Sequence, residues 1–107
     1  MGDTFKALSS PVRREILDLL KARDMTAGNI SDGLSATGTV VSKPTLSGHF
    51  NVLREADLIH ADKVGTTITY SLNTSVVEDM MTHLMGLLSQ KQDDENQKKD
   101  ESENKNV

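Results

Sequence analysis

Residues 42–53 read SKPTLSGHFNVL, and this stretch indicates the architecture of the whole chain. It opens with serine and has proline at its third position, which is typical of a helix start because serine caps free backbone N–H groups and proline suits the first turn. Leu46, Phe50 and Leu53 follow at a spacing that places side chains on one face of a helix. The stretch therefore predicts a helix that ends near Ala56, with one buried face and one exposed polar face.

Three further helices are predicted upstream of this one. A short helix spans Thr4 to Leu8 and is followed by Ser10, which can cap a second helix that starts with proline and runs to about Ala22. Thr26 caps a short third helix. The apolar residues at helical spacing in the second and third helices are Val12, Ile16, Leu19, Leu20, Ala27, Ile30 and Leu34.

The periodicity changes downstream of residue 56. Leu58 to Asp62 and Thr67 to Leu72 are short, rich in β-branched residues and partly alternating, and Val64-Gly65 between them is a turn signal. These features predict a β-hairpin. An isolated hairpin is only marginally stable, so we expect it to pack against the helices.

A last helix is predicted from about Thr74 to Ser89. Its apolar residues cover more than a narrow stripe, and a small domain needs a second surface to cover such a helix. A two-fold dimer is the commonest solution. The apolar residues are Val76, Val77, Met80, Met81, Leu84, Met85, Leu87 and Leu88.

The order of these elements, α-α-α-α-β-β-α, predicts a mostly α-helical winged helix-turn-helix fold with a small β-hairpin wing. In this fold the second helix of the helix-turn-helix motif enters the major groove of DNA. Small hydroxyls and a glycine let that helix approach the duplex, while lysine and histidine can reach phosphates or guanine edges. The alternative is a solvated helix face and an ordinary polar turn. The candidate DNA-binding residues are Lys43, Thr45, Ser47, Gly48, His49 and Asn51 on the helix, and Lys63, Thr66 and Thr67 at the hairpin tip. Arg13 and Arg14 could also touch phosphate, although a surface arginine is more often solvated.

The charge of the chain is unusual for a DNA-binding protein. Twelve basic and sixteen acidic residues in 107 give a net charge of −4, whereas a nucleic-acid binder is expected to carry a basic patch. The imbalance is regional, since residues 1–23 hold five basic and three acidic side chains, while residues 91–107 hold four and six. A winged-helix module that contacts protein instead of DNA therefore stays open as an alternative.

Composition also limits the domain organisation. We expect one domain over residues 3–90, followed by a disordered polar tail over 91–107 that cannot bury enough apolar surface to offset its ordering entropy. No membrane-spanning or signal segment is recognisable, which predicts a cytoplasmic protein without membrane insertion.

Catalytic and metal chemistry find little support in the sequence. There is no cysteine, no glycine-rich phosphate loop and no evident catalytic triad, so we expect neither an enzyme nor a cofactor. Asp79 and His83 are spaced i, i+4 on the last helix, and a dimer would duplicate them. A metal-responsive repressor is therefore a further alternative, but transition-metal sites usually need more imidazole, and we predict no metal site.

Three segments together resemble the ArsR family of repressors, also called the arsenical-resistance or SmtB type. They are SPVRREIL at residues 10–17, KPTLSGHFNVL at 43–53, and Val64-Gly65 with Tyr70-Ser71-Leu72. The resemblance covers about residues 4–88, and residues 25–28 with the lack of cysteine are nearest to the SdpR-like autorepressors within that family.

This resemblance implies a homodimeric bacterial repressor that binds an inverted repeat near its own promoter. It also implies DNA contacts from the helix at residues 43–53 and from the wing, and dimerisation through the first and last helices. The expected interface residues are Phe5, Leu8, Val77, Met81, Leu84, Met85 and Leu88. The operator, the inducing signal and any regulatory partner protein are unknown from the sequence.

The chain departs from the family pattern at two places. The turn from Ser35 to Val41 is longer than the roughly three or four residues that usually suffice. It could loop out, extend the preceding helix or form a small strand beside the wing. The thiolate motif that family members carry before this turn has no counterpart between Met25 and Leu34, which excludes thiol-based sensing.

Overall fold

The computed structural model describes residues 2–88, and the predicted tail lies outside this range. The elements are α1 (Gly2–Leu8), α2 (Pro11–Ala22), β1 (Met25–Thr26), α3 (Ala27–Ala36), α4 (Lys43–Glu55), β2 (Ile59–Val64) and β3 (Thr67–Leu72). Residues 74–88 form a further helix, α5. The elements from α1 to β3 belong to one compact unit, which ends at Thr74, and α5 continues into a second unit that begins at Ser75.

Each of the three predicted helix caps is present. The Ser10 hydroxyl accepts from the backbone N–H of Arg13 at 3.3 Å and starts α2. Thr26 accepts from the N–H of Asn29 at 3.2 Å and starts α3. Ser42 caps α4 in the same way. These bonds satisfy N–H groups that have no partner within the helix, which is why the predicted starts are confirmed.

The core forms where the apolar faces of α2, α3 and α4 meet the sheet. Phe50 of α4 stacks on Tyr70 of β3 with the ring centroids 4.2 Å apart, so one aromatic pair supplements the aliphatic core. Val12, Leu19 and Ala27, which share the predicted apolar faces, are only half-buried. The other core residues predicted from helical spacing are buried. They are Ile16, Leu20, Ile30, Leu34, Leu46, Phe50 and Leu53.

The sheet has three antiparallel strands in the order β1-β3-β2. The predicted hairpin is confirmed, but Val64 pairs with Thr67, so the connecting residues are Gly65 and Thr66 instead of Val64 and Gly65. Gly65 adopts a φ of +64°, which glycine accepts without steric cost. β1 was not predicted, because two residues are too few to show a periodicity, and it pairs Met25 with Tyr70.

The connection between α3 and α4 is shorter than the sequence indicates, because α3 extends to Ala36. Ser35 and Ala36 belong to the helix, and residues 37–42 form the connection. The N–H groups of Gly38 and Thr39 donate to the carbonyls of Ser35 and Leu34, at 3.0 and 2.9 Å. This hydrogen-bond pattern ends a helix when the residue after the cap is left-handed, and Gly38 has a φ of +89°. The extra strand of the sheet is thus β1 and not part of the turn.

Helix α5 carries the apolar residues that the sequence places there. Val76, Val77 and Met80 are half-buried. The exposed ones are Met81, Leu84, Met85, Leu87 and Leu88. None of the described helices is both long and apolar enough to cross a membrane.

Candidate nucleic-acid interface

Helix α4 presents a broad polar face away from the core. Because Leu46, Phe50 and Leu53 are buried, the residues between them point outwards. The predicted reading residues Lys43, Thr45, Ser47, Gly48 and Asn51 are all exposed, and His49 is half-buried. By helical spacing, Lys43, Ser47 and Asn51 lie on one flank of this face and Thr45 and His49 on the other.

The flank with Lys43 and Ser47 borders a cleft of about 420 Å³. The wing contributes Thr66 and Thr67 to the same cleft, so the structure brings part of the helix set and part of the wing set together. Leu46, Phe50 and Tyr70 are among the residues that line its apolar part. Lys63 is exposed on β2 and does not line the cleft.

The N-terminus of α3 opens into this cleft through Thr26, Ala27 and Gly28. The first N–H groups of a helix have no partners within it and carry a partial positive charge, which favours anions such as phosphate. The candidate set from the sequence did not contain these residues. The Thr26 cap was a signal for the helix start, but only the tertiary arrangement brings it beside Lys43.

The local electrostatics of this region differ from the net charge. Neither α3 nor α4, the helices that line the cleft, has an acidic residue in its first turn, so the positive ends of their dipoles are not neutralised there. Lys43 adds a full positive charge at the start of α4. The net negative charge of the chain therefore does not describe the surface around the cleft.

The other flank of α4 contacts α2 through His49. Nδ1 of His49 lies 3.1 Å from Nη1 of Arg13. Burial, together with the Arg13 guanidinium, lowers the pKa of His49 below its ordinary value of 6.5, which favours the neutral ring at neutral pH. Arg13 is half-buried, and Nε and Nη2 of its guanidinium donate to carbonyls of α1.

The candidate metal residues are less well placed. Asp79 and His83 are both exposed on α5, one turn apart. Within residues 2–88 no group of three or more histidine, cysteine or acidic side chains could hold a metal ion.

The candidate dimer residues lie in two separate units. In the first unit, Phe5 is 56% exposed, which is unusual for a large apolar side chain, and Leu8 is half-buried. In α5, Val77 is half-buried, and Met81, Leu84, Met85 and Leu88 are each more than 40% exposed. Phe5, Met81, Met85 and Leu88 each present more than half of their surface to solvent, and Leu84 presents 42%.

Comparison with known proteins gives consistent matches. A family model described as a helix-turn-helix domain matches residues 8–61. The transcriptional repressor SdpR of Bacillus subtilis is 42% identical over 94 residues, which cover 88% of this chain and 99% of that protein.

Solved structures are similar over most of the chain. An ArsR-like transcriptional regulator from Rhodococcus sp. RHA1 is 28% identical with a TM-score of 0.68, and the match covers 83% of this chain and 79% of that one. A homodimeric winged helix-turn-helix DNA-binding domain from Mycobacterium bovis, described as a possible ArsR-family regulator, is 25% identical with a TM-score of 0.61. That match covers 85% of this chain and 79% of the other.

Proposed function

The chain belongs to the ArsR family of helix-turn-helix regulators and is a DNA-binding transcriptional repressor, and from this premise we propose that it acts as a homodimer on an inverted-repeat operator near its own promoter. Its activity is regulation and not catalysis. The dimer is supported by the similar M. bovis domain, which is homodimeric, and by the exposed apolar residues of α5.

We propose that α4 reads the operator and that the wing contacts the DNA backbone. The observation that carries this assignment is the outward face of α4 together with the cleft that it shares with Thr66 and Thr67. Lys43 can reach phosphate or guanine, and Thr45, Ser47, His49 and Asn51 offer neutral hydrogen-bonding groups for base edges. Lys63 supplies a further cation for phosphate.

Gly48 contributes by lacking a side chain. A Cβ at this position would meet no atom of the protein within 4 Å, so packing within the protein does not require glycine there. A glycine on the outer face of a reading helix instead lets its backbone approach the DNA closely.

Repression would be steric. In a two-fold dimer, two α4 helices about 34 Å apart enter successive major grooves of the operator and block access to the promoter. We expect the protein in the cytoplasm of a bacterium, where such an operator is located. The dimer contacts would come from Phe5 and Leu8 of α1 and from the apolar residues of α5.

A titration of the purified protein against a labelled duplex of its own upstream region tests the proposal, at about 0.15 M salt and with excess competitor DNA. Specific DNA-binding proteins typically reach dissociation constants of about 10⁻⁸ to 10⁻¹¹ M under such conditions. We expect saturable binding by a dimer and an affinity that falls steeply as salt is raised, because bound phosphates release counterions. Scrambling one half of the repeat should abolish tight binding. Equal affinity for the scrambled duplex would contradict the inverted-repeat operator.

Matched variants test the reading face. Lys43→Ala should lower the affinity and reduce the salt slope by about one. Lys21→Ala removes the same charge from the last turn of α2, which does not line the cleft, and should leave the affinity almost unchanged. Equal effects of the two substitutions would reject α4 as the reading helix. A parallel titration with chelator and with added zinc tests the metal-responsive alternative.

A further inference from the structure

Among the described residues from α1 to β3, Arg13 makes the most side-chain hydrogen bonds to other helices. It lies in the first turns of α2, and its guanidinium has three partners on two other helices. Nε donates to the carbonyl of Ala7 at 2.8 Å, and Nη2 donates to the carbonyl of Lys6 at 2.9 Å. Nη1 lies 3.1 Å from Nδ1 of His49. One side chain therefore ties the C-terminal end of α1 to α4.

The chemistry of this contact fixes the tautomer of His49. A guanidinium only donates hydrogen bonds and stays protonated in proteins, so Nδ1 of His49 must be the acceptor. A neutral imidazole that accepts at Nδ1 carries its proton on Nε2. The protonated ring would place a second donor against Arg13, and the bond at Nδ1 would be lost.

The two carbonyls of α1 hold Arg13 in place. The last carbonyls of a helix have no partner within it, and an arginine satisfies them with charge-assisted bonds. With Nε and Nη2 engaged, the direction of Nη1 is set by the planar guanidinium. The orientation of the His49 ring on α4 is then determined by a residue of a different helix.

We propose that Arg13 is a positioning residue for DNA recognition, which holds His49 as the Nε2–H tautomer and thereby presents a neutral hydrogen-bond donor at the flank of α4. Such a donor suits acceptors on DNA, namely guanine O6 or N7, adenine N7, thymine O4 or a phosphate oxygen, and it does not suit the amino groups of adenine or cytosine. This inference rests on the proposed reading role of α4. It assigns to Arg13 no direct contact with DNA.

The first test needs no variant. Two-bond ¹⁵N–¹H correlation spectra of the imidazole rings distinguish the two tautomers, and we expect the proton of His49 on Nε2 in the free wild-type protein at neutral pH. Arg13→Ala should give a mixture of tautomers. Arg14→Ala is the matched control, because Arg14 also donates to a carbonyl of α1, that of Leu8 at 2.6 Å, but has no bond to His49. A wild-type ring protonated on Nδ1 would overturn the inference.

The second test is a double-mutant cycle on DNA affinity. We expect the DNA affinity to fall about tenfold in Arg13→Ala and about tenfold in His49→Ala. The affinity of the double variant should lie within about twofold of either single variant, because the two substitutions remove the same interaction. The salt slope should change no more for Arg13→Ala than for Arg14→Ala, since neither of these charges is assigned to a phosphate. Additive losses with a reduced slope for Arg13→Ala alone would show a direct phosphate contact and would refute the positioning role.

These outcomes separate the inference from the proposed function. If α4 does not read DNA, Lys43→Ala and His49→Ala both leave the affinity unchanged. If α4 reads DNA but Arg13 does not position His49, Lys43→Ala weakens binding and the cycle is additive. Should Arg13→Ala fail to fold, Arg13→Lys keeps the charge but cannot reach all three partners, and it should also give a mixture of tautomers.

Discussion

Gly48 shows how a single residue of α4 can serve binding at a cost to stability. It lies inside a helix, where glycine is less favourable than alanine by about 0.5–1 kcal/mol because it loses more backbone freedom on folding. No neighbouring atom of the protein explains this cost. His49, the next residue, is held in one orientation by Arg13. The face of α4 thus combines an open backbone with a fixed side chain.

Gly48→Ala should separate stability from binding. We expect the free energy of unfolding to rise by about 0.5–1 kcal/mol, since alanine is the better helix former and the added Cβ meets no atom. The DNA affinity should fall, because the methyl group lies between the helix backbone and the duplex. Urea unfolding and DNA titration measure the two quantities. An alanine variant that binds DNA as well as wild type would argue against a close approach at this position.

His49 should make the stability of the protein depend on pH. Its pKa is lowered in the folded state by burial and by Arg13, so the unfolded chain takes up the proton more readily. Stability is therefore complete above about pH 6.5, falls as the pH drops through the folded-state pKa, and levels off below it. Urea unfolding at about pH 7.5 and about pH 5.5 should show this loss. His49→Asn, which keeps an acceptor for Arg13 but does not titrate, should lose less stability over the same interval.

At the scale of elements, the start of α4 determines how the reading face is presented. Ser42 caps the helix and also donates from its hydroxyl to that of Thr45 at 3.0 Å. The preceding connection is fixed at its other end by the left-handed Gly38, which ends α3. A six-residue connection is therefore held at both ends by local hydrogen bonds, and the start of α4 has a defined position beside the N-terminus of α3.

Ser42→Ala and Ser10→Ala form a matched pair of cap deletions. Each should lower the free energy of unfolding by about 1 kcal/mol, because one free N–H group loses its acceptor. Only Ser42→Ala should also weaken DNA binding, since α4 and not α2 carries the proposed reading residues. Thermal unfolding and DNA titration provide the readouts. Equal effects of the two substitutions on DNA affinity would show that cap loss acts only through global stability.

At the scale of the whole molecule, the exposed apolar residues of α5 need a second surface that buries them. Met81, Leu84, Met85 and Leu88 are exposed, and by helical spacing they lie on one side of α5, while Thr82 lies on the polar side. A second copy of the chain offers an equivalent apolar surface, which is the basis of two-fold interfaces.

Met81→Glu and Leu84→Glu should each produce monomers that bind DNA poorly. A charge buried in an apolar interface without a partner costs several kcal/mol, and a monomer can occupy only one half of an inverted repeat. Analytical ultracentrifugation gives the oligomeric state. Thr82→Glu adds the same charge to the polar side of α5 and should remain dimeric. A monomeric variant with full affinity for the operator would contradict the proposed dimer.

The sequence by itself determined the helices, their caps and the hairpin, because these depend on contacts between residues near each other in the chain. Ser10, Thr26 and Ser42 act on N–H groups three residues away, and the spacing of Leu46, Phe50 and Leu53 fixes the buried face of α4. It also identified the exposed residues of that face except for the half-buried His49, since they are what remains once the apolar positions are assigned.

Only the tertiary structure decided the pairing of β1 with β3, the cleft between α3, α4 and the wing, and the bond between Arg13 and His49. Each joins residues far apart in the chain, so no local pattern encodes it. The net charge does not reveal this arrangement for the same reason, because the N-terminal ends of α3 and α4 and Lys43 meet at the cleft only in the folded chain. Local sequence fixes which side chains face outwards, and packing between distant elements fixes what each of them can do.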